Sequence, residues 1–180
     1  LAKNKKGYQN LVKLSSLAYI EGNYGLYPRI DKDLIIEYSE GLIALSGGLR
    51  GEIPNLVLNV GETQAEEALK WWKEAFGDDF YLELNRHGIP EEDHLNQILK
   101  RFSSSYGIKT IAANELFYLN QEDAKAHDVL ICIKENEKQS TPIGRGRGFR
   151  HGMVNDQYFF KSQEEMKVLF DDLPEAIENI

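Results

Sequence analysis

The sequence predicts an α/β fold, a sheet of about three parallel strands with helices packed on it. Three observations predict it. Short apolar runs at residues 41–47, 80–84 and 109–113 are each followed by a stretch with helical periodicity. The first run, Gly41-Leu-Ile-Ala-Leu-Ser-Gly47, is continuously apolar and closed by glycines, as expected of a strand buried on both faces. A hydrophobic share of 42% and an aromatic share of 11% are enough to build a core, which excludes a disordered chain.

The elements follow in order. Leu11, Leu14, Leu17 and Ala18 share one helical face over residues 7–20, with Gly22 behind them. Tyr24, Tyr27, Pro28 and Arg29 read as a loop, after which Asp31 caps a short helix over Leu34–Tyr38. Behind the first strand, Thr63 and Glu66 read as a capping box for a helix with an Ala65, Leu69, Trp72, Phe76 stripe, stopped by Gly77. Trp71 receives no assignment. Pro90 opens the next helix, which carries Leu95, Ile98, Leu99, Phe102 and Tyr106 and ends at Gly107. Asn120 caps a third helix with Ala124, Leu130 and Ile131 inward. Residues 135–160 read as an irregular loop region holding a Gly/Arg segment at 144–150. A last helix begins at Ser162 with Glu165 as its box partner, and Pro174 opens a terminal turn. No linker divides the chain, so residues 1–180 are taken as one domain.

Charge and cysteine usage narrow the function classes. The net charge of −8 excludes a surface that is, as a whole, a nucleic-acid footprint. The single cysteine, Cys132, excludes an internal disulfide framework and a cysteine-rich zinc module. No apolar run approaches the ~20 residues needed to span a bilayer, so no membrane partner is expected. The start, Leu-Ala-Lys-Asn-Lys-Lys, has neither an initiator Met nor a signal-peptide core. The expectation is a cytoplasmic globular piece that begins inside something longer.

In parallel α/β folds, ligands bind at the carboxyl ends of the strands. Three such ends carry candidate residues: Ser46, Gly47 and Gly48; Glu83 with Arg86 and His87; and Asn114, Glu115 and Phe117. Glu83, His87 and Glu115 on one rim have the chemistry to hold a divalent metal. The plainer reading of Glu83 and His87 is an ion-paired or hydrogen-bonded loop. None of the four histidines is spaced as H-x-H or H-x-x-x-H, and His94 and His127 read as surface or packing residues. The glycine-rich segment lacks a preceding buried strand and a following Gly-Lys-Ser/Thr, so it is not a phosphate loop of the familiar kind. Its Arg145, Arg147 and Arg150 are candidate contacts for nucleic acid or a partner, set against a merely solvated, mobile loop. No G-x-S-x-G elbow appears, and Cys132 lies among apolar residues, so nucleophilic catalysis has no support.

An ordered set of motifs adds a resemblance. Lys6-Gly-Tyr-Gln-Asn-Leu-Val-Lys-Leu14, Glu40-Gly-Leu-Ile-Ala-Leu-Ser-Gly47, Tyr81-Leu-Glu-Leu-Asn-Arg-His-Gly88, Glu122-Asp-Ala124 with Ala126-His-Asp128, Phe160-Lys-Ser162 with Glu164-Glu-Met166, and Pro174-Glu-Ala-Ile177 follow one another along the chain. Together they resemble the amino-terminal polymerase-and-histidinol-phosphatase (PHP) domain of the bacterial replicative DNA polymerase III alpha subunit, over essentially the whole chain.

The resemblance implies a partial, distorted (βα)7 TIM-like barrel, the chain being the carboxy-terminal part of the domain. Some members of that family bind a metal cluster and show metal-dependent proofreading or phosphoesterase activity. Gly48 stands at the family's Cys ligand, and Glu115 with Phe117 at its Asp-x-His pair. Glycine has no donor and phenylalanine cannot ligate, so the expectation is a degenerate site with no metal and no cofactor. The family's earlier ligands are expected ahead of Leu1, and the polymerase carboxylates beyond Ile180. The leading expectation is therefore a non-catalytic scaffold segment of the alpha subunit, whose parent activity is template-directed DNA synthesis. Its partners are the rest of that subunit, with the proofreading exonuclease subunit and DNA as further candidates. The rivals are a metal-dependent phosphoesterase or 3′–5′ exonuclease and a docking module. Absent upstream strands imply an unpaired sheet edge and self-association.

Overall fold

The computed structural model describes residues 1–180, and its sheet has strand order β3–β4–β5, all parallel: β3 (Ala44–Leu45), β4 (Phe80–Asn85) and β5 (Lys109–Ala113). A small antiparallel hairpin of β1 (Asn23–Tyr24) and β2 (Tyr27–Pro28) stands apart, where the sequence suggested only a loop. Eight α-helices complete the chain: α1 (Lys5–Ile20), α2 (Lys32–Glu37), α3 (Glu52–Asn59), α4 (Glu62–Phe76), α5 (Pro90–Tyr106), α6 (Ala124–Glu135), α7 (Gln163–Leu169) and α8 (Pro174–Glu178).

Register decides which face of the sheet is core. Ala44 pairs with Phe80, Leu82 with Thr110 and Leu84 with Ala112, and all six are buried. The five apolar ones pack with Ile53 of α3, Leu69 of α4, Leu99 of α5 and Ala176 of α8 into one cluster. The alternate residues Leu45, Tyr81, Glu83 and Ile111 face the other way and are only half-buried. The first strand is thus buried on one face, not two, and only two of its residues form a ladder. Three strands supply no opposing wall, and the sheet does not close into a barrel.

The expected open edge is partly covered. The Leu1 amino group donates to the Ile43 carbonyl at 2.8 Å, the Ile43 amide returns a bond to Leu1 at 2.9 Å, and the Lys3 amide donates to Gly41 at 2.8 Å. This antiparallel bridge centres on Ala2 and Leu42. Helix α1 docks beside it through Gly7, Asn10, Leu14 and Ala18 rather than through Leu11, which is exposed. A Cβ at Gly7 would lie 1.8 Å from the Gly41 carbonyl oxygen, so only glycine permits this approach. Asn10 Nδ2 donates to the Glu40 carbonyl at 2.9 Å.

Two helix starts correct the sequence reading. Helix α4 begins two residues earlier than the Thr63 box implies, with Gly61 at its N-cap, and Glu66 instead bonds Lys70 and Tyr106. Helix α3 is absent from the sequence reading, because its eight residues sit between glycines and carry too short a period. It supplies Glu52, whose carboxylate takes the Trp72 indole N–H at 2.7 Å and the Lys32 ammonium at 2.9 Å, while Trp71 stands edge-on to Trp72. In α6, Ile131 turns inward as read, but its inward partner is Cys132, and Leu130 is 63% exposed rather than inward. The caps at Asp31 and Ser162 form as expected, whereas Asn120 caps a single 3-10 turn, Gln121–Asp123, and α6 itself starts behind Asp123.

Candidate functional site

The carboxyl ends of β3, β4 and β5 place the strand-end candidates on two adjoining networks. At the end of β3, Ser46 Oγ accepts the Glu83 amide at 2.9 Å. Asn85 Nδ2 donates to Glu83 Oε1 at 2.9 Å, and the Asn96 amide group holds the Asn85 carbonyl at 2.8 Å. Asn85 Oδ1 is buried with no hydrogen-bond partner. Gly48 stands beside this pair: a Cβ there would lie 3.4 Å from Asn85 Nδ2 and 3.9 Å from Glu83 Oε1. Glu83, Asn85 and Gly48 therefore do meet, around the residue type that removes a donor.

His87 begins the second network, and it is a core residue at 1% exposure rather than an open rim ligand. Its backbone N–H donates to Glu92 Oε2 at 2.5 Å, and its Nδ1 lies 2.7 Å from Glu92 Oε1. Its Nε2 lies 2.9 Å from the Glu115 carbonyl oxygen, which can only accept, so Nε2 carries a proton. Nδ1 in turn faces the Glu92 carboxylate. Both ring nitrogens are occupied, which leaves no lone pair for a metal. The Tyr158 ring stacks on the imidazole with centroids 4.4 Å apart, and Asn155 Nδ2 donates to the His87 carbonyl at 2.6 Å.

The β5 end is sealed by the same late segment. Asn114 Nδ2 donates to the Phe159 carbonyl at 2.8 Å and its Oδ1 accepts from Lys161 at 3.3 Å. The Phe117 amide donates to the Tyr158 carbonyl at 2.9 Å, and the Phe117 ring stacks near His127. Glu115 contributes its carbonyl, not its carboxylate, to this arrangement. Burial lowers the Lys161 ammonium below its ordinary pKa, against the opposing pull of Glu165, Glu92 and Asp156. Burial, then the charges of Glu92 and Glu115, raise the Tyr158 phenol.

Glu92, Asn155, Tyr158 and Lys161 were not singled out from sequence as site residues. Glu92 looks like any first-turn acid of a helix, Asn155 and Tyr158 come from the irregular region, where no periodicity marks them, and Lys161 follows directly behind it. Arg86 leaves the rim altogether: it forks onto Asp172 at 2.5 and 3.0 Å, which holds that carboxyl down at about 2. Of the three loop arginines, Arg145 and Arg147 are exposed, but Arg150 is buried and makes a two-bond pair with Asp128 at 2.6 and 2.9 Å. Arg150 is thus structural and unavailable as a surface contact, because its guanidinium replaces the regular structure this segment lacks. A shallow cavity of about 200 Å³ lies near that pair, lined in part by Tyr118, His127 and Asp128, and none of Gly48, Glu83 or His87 borders it.

No three His, Cys, Asp or Glu side chains converge at metal-ligand spacing. Gly48 and Phe117 have no donor atom to offer a metal, and His87 is bonded on both ring nitrogens.

Residues 1–87 match the PHP domain family. The chain is 47% identical over 179 residues to the DNA polymerase III subunit alpha of Borreliella burgdorferi, covering 99% of this chain and 15% of that protein. The corresponding subunit of Campylobacter jejuni is 43% identical over 189 residues (99% and 15%), and that of Thermus aquaticus 42% over 176 (98% and 14%). The chain is homologous to a PHP-bearing segment of DNA polymerase III alpha subunits. The chain spans about 15% of the length of the curated relatives it matches. Within it, the matched residues 1–87 run from α1 through β4 to His87, so the match contains the Gly7–Gly41 contact and the Gly48 notch. No helix of the chain is long and apolar enough to cross a membrane.

Proposed function

We propose that the chain is a non-catalytic scaffold segment of a replicative DNA polymerase alpha subunit, contributing part of a distorted βα barrel whose metal site is degenerate. The parent activity is template-directed DNA synthesis in the cytoplasm, with nucleotidyl transfer performed by other parts of that longer protein. The single observation that carries the reading is the state of His87. A histidine at a strand end, where a ligand would be useful, is spent on joining β4 to α5 and to the turn after β5. Gly48 and Phe117 supply no donor atom to replace it. The nearest partner is the remainder of the alpha subunit, and the proofreading exonuclease subunit and DNA are further ones.

The test pairs two measurements. Elemental analysis after equilibration with zinc or manganese is expected to find no stoichiometric ion, and a 3′–5′ exonuclease assay no activity. About one or more ions per chain, together with metal-dependent nuclease activity, would replace the scaffold reading with the phosphoesterase one, using Glu83, His87 and Glu115. Co-expression with the rest of an alpha subunit is expected to give one co-eluting complex.

A further inference from the structure

The Gly/Arg loop joins a fixed base to a tip whose charges are unpaired. Its base is fixed: the Arg150 amide donates to the Pro142 carbonyl at 2.9 Å, the Gly144 amide to the Arg150 carbonyl at 3.1 Å, and Arg150 Nε to the Thr141 carbonyl at 2.8 Å. With the Asp128 pair at 2.6 Å, this makes Arg150 an anchor whose side chain is 4% exposed. The tip is the opposite. Arg145 and Arg147 are exposed and enter no ion pair, on a chain of net charge −8 that has carboxylates in excess. Gly146 and Gly148, at φ 91° and 89°, turn the backbone on either side of Arg147.

Phe149 adds an aromatic surface. Its ring lies against the backbone of Gly144, where an added Cβ would come within 2.4 Å of the ring, and the side chain stays 49% exposed. Covering one face with a glycine backbone while leaving the other open gives a flat aromatic platform next to two free guanidinium groups. Stacking platforms combined with cationic groups are how single strands are held without sequence preference.

We propose that loop 143–150 is a contact for a single-stranded polynucleotide, with a base on Phe149 and backbone phosphates on Arg145 and Arg147. Guanidinium forks match phosphate oxygens, and every base has a face to lay on the ring. An acidic protein segment would use the arginines and leave Phe149 idle. The overall negative charge repels a polyanion elsewhere on the surface, so the contact is local and salt-sensitive. This inference does not rest on the scaffold reading, since neither metal binding nor nuclease activity enters it.

The test is a fluorescence-anisotropy titration of the 180-residue chain with labelled (dT)12 across a salt series. Binding at low salt is expected. Replacing both tip arginines (Arg145→Gln with Arg147→Gln) should weaken it about tenfold and flatten the log–log salt slope by about 1.4, or about 0.7 for each phosphate no longer neutralised. Phe149→Ala should weaken it about fivefold or more, and Phe149→Trp should restore it. All three side chains are exposed, so melting curves should match the parent and separate a binding defect from unfolding. Absence of binding, binding indifferent to these changes, or displacement of (dT)12 by polyglutamate at equal concentration would overturn the proposal, the last in favour of an acidic protein partner.

Discussion

Glu92 grips His87 twice, with one carboxylate oxygen on the backbone N–H and the other on the ring Nδ1, and both residues are under 5% exposed. A helix first turn and a strand-end loop are thereby locked five residues apart. Removing one partner leaves the other buried without compensation. Glu92→Ala should therefore cost about 3 kcal/mol or more in urea unfolding. A loss under about 1 kcal/mol would mean that water replaces the carboxylate freely.

Gly7→Ala tests the docking of α1. The new methyl would overlap the Gly41 carbonyl at 1.8 Å, and backbone cannot step aside as a side chain does. The expected cost is about 3 kcal/mol, the upper end for overpacking. A thermal melt indistinguishable from the parent's would refute the contact.

Acid stability should depend on Asp172. Arg86 beside it lowers its carboxyl from 3.8 to about 2, so the group stays ionised in the folded chain when it would protonate in the unfolded one. Its stabilisation is fully present above about pH 4 and is lost as pH falls toward about 2. The side chain is half exposed, so the contribution is about 1 kcal/mol at most. Urea unfolding of Asp172→Asn from about pH 5 to about pH 2 should converge on the parent at the acid end. A constant offset across that range would exclude the linkage.

Gly48→Cys should fold normally, because its Cβ meets neighbours only at ordinary contact distances of 3.4 and 3.9 Å. Tight zinc binding usually needs three or four protein ligands, and Glu83 Oε1 beside it already accepts from Asn85. A thiol reagent should find one accessible sulfur in addition to the buried Cys132, and elemental analysis no bound zinc. One zinc per chain in this variant would show that the neighbouring donors rearrange.

Self-association is expected at high concentration. Helix α1 turns Tyr8, Leu11, Val12 and Tyr19 to solvent, and the second face of the sheet is only half covered. Burying apolar surface yields ~25 cal/mol per Å² before association costs, and salt screens the repulsion between chains of net charge −8. Light scattering should show mass rising with both concentration and salt. A monodisperse monomer under both conditions would refute this.

What the sequence determined by itself is local or periodic. Apolar runs at 80–84 and 109–113, the caps at Asp31 and Ser162, and the stops at Gly77 and Gly107 form as read, because each depends on a few neighbouring residues. The parallel order β3–β4–β5 follows from helices placed between successive strands. Tertiary structure decided whatever depends on a distant partner. Gly7 and Gly41 stand out in sequence only as motif residues, and their reason is a helix approaching a turn far along the chain. Arg145, Arg147 and Arg150 are indistinguishable in the chain, yet Asp128 buries one and leaves two free. His87 reads equally as ligand or loop until Glu92 and the Glu115 carbonyl take both its nitrogens. A side chain's chemistry is set by what occupies its hydrogen-bonding positions, and that is a property of packing rather than of spacing along the chain.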